Sequence, residues 1–167
     1  MIRLATPTDA YPIADVHVRS WQAIYRGHFP DEFLDSLSTE ERAMSWARLL
    51  TDPSQAIAVC ELPSGVVGFV GIGPSRDADA TPETRELQSI YLDPAVWRQG
   101  IGTSLIHWAM GTAASRGWTK MTLWVLKGNA QARAFYERSG WHADGVEKSE
   151  PFLGGTTEQI RYEWRAA

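Results

Sequence analysis

Glu86-Leu-Gln-Ser-Ile-Tyr-Leu-Asp-Pro-Ala-Val-Trp-Arg-Gln-Gly100-Ile-Gly102-Thr-Ser-Leu105 reads as a strand, a short turn and a glycine-bearing loop that opens a helix. Leu87, Ser89 and Tyr91 alternate with Gln88, Ile90 and Leu92, the two-residue period of a strand, and Asp93-Pro94 ends the run. Gly100 and Gly102 carry no Cβ, so the backbone there turns tightly and approaches a bound group closely. The first amides of the new helix have no intrahelical partner and favour an anion. The stretch therefore predicts a phosphate-binding loop, and the open matter is whose phosphate.

A dinucleotide fold needs Gly-x-Gly-x-x-Gly, but Leu105 stands where its third glycine belongs. A P-loop nucleotidase needs Gly-Lys-Ser/Thr, and that tripeptide does not occur. Trp97-Arg98-Gln99-Gly100-Ile101-Gly102 instead resembles the pyrophosphate motif of the Gcn5-related N-acetyltransferase (GNAT) superfamily, Gln/Arg-x-x-Gly-x-Gly/Ala after a strand. Trp97 departs from that pattern where Gln or Arg is usual; backbone amides do most of the phosphate holding, and Arg98 adjoins. A second segment, Asn129-Ala-Gln-Ala-Arg-Ala-Phe-Tyr136-Glu-Arg-Ser-Gly140-Trp141, resembles the other signature of the family. Asn129 suits an N-cap, the alanines favour helix, and Gly140 suits a C-terminal stop. Asn129 and Tyr136 are about 700° apart at 3.6 residues per turn, so they share a helix face.

The resemblance spans essentially the whole chain and implies one acetyltransferase domain over residues 1–167. The fold it implies is α/β (α+β): a central mixed, mostly antiparallel twisted sheet of about six or seven strands with about four helices. Local signals agree. They give strands near Ile2–Leu4, Ala56–Leu62, Val66–Ile72, Glu86–Leu92, Thr119–Leu126, Trp141–Lys148 and Glu158–Trp164. Helices are expected from Thr8 or Asp9 to Arg26, from the capping box Ser38-Thr-Glu-Glu41 to Leu50, over Gly102–Ser115 and over Asn129–Ser139.

The resemblance also implies acetyl-CoA as cosubstrate. Its contacts would come from Trp97, Arg98, Gln99, Gly100, Ile101, Gly102 and Thr103 at the phosphates. Asn129 and the backbone of Ile90, Tyr91 and Leu92 would meet the pantetheine arm. Arg133 and Lys127 are further phosphate candidates, although an exposed cation near a helix is usually just solvated. Tyr136 would protonate the departing thiolate. Its bland alternative is a ring packed in the core, and the two roles are compatible. Glu86, fourteen residues before Gly100, stands where several members of the family carry a catalytic base. It could equally be a solvated charge at the strand's end.

Acceptor specificity is less legible. His17, Trp21 and Tyr25 recur at four-residue spacing on one helix face, with His28 beyond Gly27. Trp21, Tyr25 and His28 are the substrate-binding candidates; such a stripe is more often core packing. No His-Glu-x-x-His or paired-cysteine pattern occurs, so no metal is expected.

Composition narrows the class without deciding it. The net charge of −4 offers no broad basic surface, so neither nucleic acid nor an anionic membrane is expected as partner. The polar N-terminus does not read as a signal peptide, no apolar run approaches 18 residues, and the single cysteine, Cys60, lies in an apolar run as a core thiol. A cytoplasmic protein is expected. The sequence thus predicts an acetyl-CoA-dependent N-acetyltransferase that acts on a primary amine, of a small molecule, by direct transfer in a ternary complex. The alternatives are acetylation of a protein or peptide N-terminus, or a non-catalytic acyl-CoA-binding sensor. A homodimer stays open, as do the acceptor's identity and the acyl length.

Overall fold

In the computed structural model, which describes residues 1–166, seven strands and five helices follow one another. They are β1 (Ile2–Leu4), α1 (Ala10–Ile24), α2 (Asp31–Asp35), α3 (Thr39–Leu49), β2 (Ala56–Leu62), β3 (Gly65–Pro74), β4 (Thr84–Leu92), α4 (Ile101–Ser115), β5 (Lys120–Leu126), α5 (Ala130–Arg138), β6 (His142–Phe152) and β7 (Gly155–Arg165). The strands form one mixed sheet in the order β1-β2-β3-β4-β5-β7-β6. β1 with β2, β2 with β3, β5 with β7 and β6 with β7 pair antiparallel, while β4 and β5 run parallel. That parallel ladder is short, matching Thr84, Arg85 and Glu86 to Lys120, Met121 and Thr122. The sheet is the expected mixed, mostly antiparallel one, and α2 raises the helix count by one.

Two compact units make up the chain: Met1–Ile72 with Ser89–Trp108, and Gly73–Gln88 with the residues from Ala109 onward. In the first, Ile13, Ala14 and Val16 of α1 and Trp46 of α3 bury against Ile57, Val59 and Phe69 of β2 and β3. The helix face follows from apolar residues three and four apart, and the strands are buried nearly along their whole length. Ser38 starts α3 as its N-cap, its Oγ accepting from Glu41 N at 3.2 Å. Gly68 of β3 sets how closely β4 and α4 approach. A Cβ there would lie 3.0 Å from Leu92 Cδ2 and 3.2 Å from the Tyr91 carbonyl oxygen.

In the second unit, Met121, Leu123 and Val125 of β5, Tyr136 of α5, Trp141, and Ile160 and Tyr162 of β7 are buried. β6 carries a register shift between Ala143 and Glu147, and Gly145 turns there with φ 89°. The ladder is irregular there, longer on β6 than on β7, and Gly145 takes up the left-handed backbone without a Cβ penalty.

Candidate active site

The glycine loop sits in the first unit and is built from its own capping groups. Asp93 Oδ1 accepts from Ala95 N at 2.9 Å, and a single 3-10 turn spans Pro94–Val96. Trp97 Nε1 donates to the Leu92 carbonyl at 3.1 Å, and Gln99 Nε2 to the Ala95 carbonyl at 3.3 Å. These two side chains brace the loop on the end of β4. That explains how Trp97 is accommodated at its motif position. Arg98 and Gly100 both take left-handed backbone, φ 61° and 81°. Only glycine does so without cost, and a non-glycine residue held there belongs to a constrained loop. The bond from Ser104 N to the Gly100 carbonyl, 3.1 Å, begins the α4 ladder. The amides of Ile101, Gly102 and Thr103 therefore precede it, at the positive end of a 15-residue helix. Arg98, Gln99 and Gly100 are exposed beside them.

Asn129, Arg133 and Tyr136 lie in the second unit. Asn129 caps α5, its Oδ1 accepting from Ala132 N at 3.1 Å. Its other end, Nδ2, is the part of the amide suited to a ligand carbonyl. Tyr136 is 9% exposed, with its ring packed among Phe135, Trp141 and Tyr162. Arg133 is committed inside the unit. Its Nε donates to Tyr162 Oη at 3.2 Å, its Nη1 to the Lys127 carbonyl at 3.2 Å, and Tyr162 Oη in turn donates to Glu137 at 2.8 Å. Lys127 pairs with Glu147 at 2.8 Å. Of the three cations expected near phosphates, Arg98 is the one placed in the loop itself.

Glu86 is not a solvated strand-end charge. Its side chain is 3% exposed, and it accepts from Arg76 through the backbone N at 3.2 Å, Nε at 3.1 Å and Nη2. The Arg76 side chain is 73% exposed. The carboxylate raises the pKa of the guanidinium chiefly by accepting its hydrogen bonds. Arg76 follows β3 in a loop that a buried arginine of β7 holds. Arg161 clasps Asp79 with two bonds of 2.7 Å, reaches Asp144 at 2.7 Å and lies 3.3 Å from Asp77. Asp77 also accepts from Trp124 Nε1 at 2.9 Å and Thr122 Oγ1 at 3.2 Å. The Arg161 guanidinium holds the Asp79 carboxyl down to about 2. Neither Arg76 nor Arg161 stood out in the sequence. Arg161 left a faint signal as a lone arginine between Ile160 and Tyr162, whereas Arg76 left none.

The acceptor candidates Trp21 and Tyr25 fall in an aromatic series along the first unit. Ring centroids are 4.9 Å apart from Trp21 to Tyr25, 5.0 Å from Tyr25 to Phe29 and 6.4 Å from Phe29 to Phe33. All four rings are half-buried, so this stripe is neither a sealed core nor a free surface. Phe29 and Phe33 join it because the chain reverses at Gly27, φ 85°, and enters α2. Arg26 ties that reversal to Asp31 and Asp35. His28 is exposed on the turn and its side chain is not part of the ring series. His17, deeper on the same helix, stacks on Tyr91 at 4.9 Å and accepts from Trp46 Nε1 at 3.2 Å. Burial first, and the Arg42 charge second, push its pKa down to about 3. It is a neutral core histidine, as the packing alternative anticipated.

Cys60 is buried in β2. Among the described residues no group of three or more His, Cys, Asp or Glu is placed to hold a metal ion, and no helix is long and apolar enough to cross a membrane.

Comparison with known proteins gives the family. The family model for the acetyltransferase (GNAT) family matches residues 18–141, a span that holds the glycine loop, Glu86 and the Asn129–Tyr136 helix. The chain belongs to the GNAT family. A probable N-acetyltransferase of Mycobacterium tuberculosis is 27% identical over 164 residues, covering 96% of this chain and 91% of that protein. The crystal structure of the PaiA N-acetyltransferase of Thermoplasma acidophilum, in complex with coenzyme A, superposes with TM-score 0.74 at 20% identity, covering 99% of this chain and 98% of the other. A ribosomal-protein-alanine N-acetyltransferase from Brucella melitensis superposes with TM-score 0.78 at 22% identity, covering 99% of both chains. By family this GNAT protein is an N-acetyltransferase, and its seven-stranded mixed sheet is the GNAT fold.

Proposed function

We propose that this GNAT enzyme transfers the acetyl group of acetyl-CoA to a primary amine of a small molecule, directly, in a ternary complex. The whole 1–167 stretch acts as one catalytic domain, each compact unit carrying one of the family's two signatures. The observation that carries the amine reading is Glu86, a buried carboxylate whose partner is a cationic nitrogen group. A primary amine is mostly protonated at neutral pH, and a carboxylate that already accepts N–H donors suits both holding the ammonium and taking its proton. The coenzyme's phosphates meet the amides of Ile101, Gly102 and Thr103 and the Arg98 side chain. The strand backbone at Ile90 and Tyr91 and the Asn129 amide hold the pantetheine arm. Glu86, directly or through water, takes the first proton of the ammonium and passes it to solvent, and the freed amine nitrogen attacks the thioester carbonyl. A C–N bond forms and the C–S bond breaks, the nitrogen loses its second proton to the same carboxylate, and Tyr136 Oη gives a proton to the leaving sulfur and regains one from solvent. The half-buried rings of Trp21 and Tyr25 form the wall against which the acceptor's carbon skeleton lies, with His28 at its rim.

The test is acetyl-CoA turnover, read as free thiol release, over a panel of small primary amines and of short peptides with differing N-termini. The expected result is a higher kcat/KM for small amines. Peptides outperforming every small amine would make the acceptor a polypeptide N-terminus, the activity named for the Brucella neighbour. Tight coenzyme A binding with no turnover on any amine would leave an acyl-CoA sensor.

A further inference from the structure

Glu86 and Arg76 differ sharply in what they lose if they part. The arginine, 73% exposed, regains water at once, whereas the carboxylate, 3% exposed, would be left buried with a single backbone donor. An exposed guanidinium is weakly held on its own account, and a buried unpaired carboxylate is costly. Such a pair exchanges its cation rather than opening. The loop does not depend on the contact, because it is fastened on the other side of Arg76. Asp77 is held by Trp124, Thr122 and Arg161, Asp79 is clasped by Arg161, and Gln88 Nε2 donates to the Pro74 carbonyl at 3.2 Å.

We infer that the Arg76 side chain is a resident cation on Glu86 that the acceptor's own ammonium must displace, so that Arg76 sets the enzyme's affinity for cationic acceptors. This rests on the reading of Glu86 as the acceptor's carboxylate. The site accepts a primary ammonium or a guanidinium, and rejects neutral alcohols and tertiary amides, which cannot replace the charge. Asp77 and Glu150 add their fields at the same guanidinium, so the departing side chain stays among carboxylates while the acceptor takes its place.

The experiment compares wild type, Arg76→Gln, Arg76→Lys and Glu86→Gln in the amine panel, with calorimetry using methylguanidinium as probe. Removing the competitor should lower the amine KM of Arg76→Gln by about tenfold while kcat stays within about twofold, a split that loss of a structural contact does not produce. Arg76→Lys, which keeps a cation without the two-pronged contact, should fall between. Methylguanidinium should bind Arg76→Gln and restore the higher KM, and should not bind the double variant Arg76→Gln/Glu86→Gln. If Glu86→Gln keeps wild-type kcat/KM, the acceptor reading of Glu86 itself falls. If Glu86→Gln is impaired but the amine KM of Arg76→Gln equals or exceeds that of wild type, displacement alone is overturned. Absence of methylguanidinium binding to folded Arg76→Gln overturns it whether or not any amine is turned over.

Discussion

Tyr136 is packed by its ring, and its proposed chemistry rests on the hydroxyl alone. Its ring is enclosed by Phe135, Trp141 and Tyr162, so Tyr136→Phe keeps the buried surface and deletes only the hydroxyl. General-acid help contributes about 10²-fold or more; kcat should fall by that order while the coenzyme A Kd stays near wild type. Steady-state rates with chemistry limiting, alongside calorimetry, decide it, and a wild-type kcat would reduce Tyr136 to a packing residue. Arg161 is the opposite case, a residue whose charge is structural. It is 5% exposed and faces Asp77, Asp79 and Asp144. Arg161→Met fills a similar volume but leaves those carboxylates without their cation. Breaking a buried pair from one side costs about 3–5 kcal/mol. Urea unfolding of the variant should show a loss at the low end of that range, since Asp79 is 59% exposed and recovers water.

At the scale of elements, the glycine loop leads directly into α4, and the proposed phosphate contact asks a bare backbone of it. Gly102 is the second residue of α4, among the amides that precede the ladder. Gly102→Val places a branched side chain where the proposed coenzyme phosphates would approach, so coenzyme A affinity should drop by at least tenfold, or ~1.4 kcal/mol, with the fold retained. Calorimetry giving wild-type affinity in the folded variant would mean that the loop binds something else. The elements that were readable from sequence are those whose ends carry chemistry. Ser38 caps α3, Asn129 caps α5 and Asp93-Pro94 turns β4 into the loop, each with the hydrogen bond its residue type demands. α2 was missed because five residues carry no helical period, and its start at Pro30 looks like a turn. β6 was drawn too short because its exposure does not alternate and Gly145 interrupts it. Among the acceptor candidates, Trp21 and Tyr25 were legible as a stripe, but Phe29 and Phe33 reach it only through the reversal at Gly27. The partner of Glu86 was invisible, since nothing local links Arg76 to a strand residue ten positions later. Arg133 looked like a free cation and is instead held by Tyr162 and the Lys127 carbonyl.

For the whole molecule, the displaced ionisations shape how stability responds to acid, and His17 starts to act at a higher pH than the aspartates. Asp9 and Asp79 are held down to about 2, first by the hydrogen bonds of Arg3 and of Arg161. A carboxyl lowered in the folded state contributes stability above its unfolded pKa near 4, and loses it as pH falls through the folded value. His17 is also lowered, from 6.5 to about 3, but by burial. Its neutral form is the one the aromatic core accepts. Below pH 6.5 the unfolded chain binds a proton that the folded chain refuses, so stability falls with pH until about 3. Between pH 6.5 and 4.5 the Asp9 and Asp79 contributions are nearly intact, and His17 should remove about 2 kcal/mol, close to ~1.4 kcal/mol per pH unit once past its unfolded pKa. Urea unfolding at pH 7, 6, 5 and 4.5 measures this directly. His17→Gln keeps an acceptor for Trp46 Nε1 and has no proton to refuse, so its stability should be lower at neutral pH and nearly flat across the window. Parallel curves for the two proteins would show that His17 is not the group that couples this core to pH.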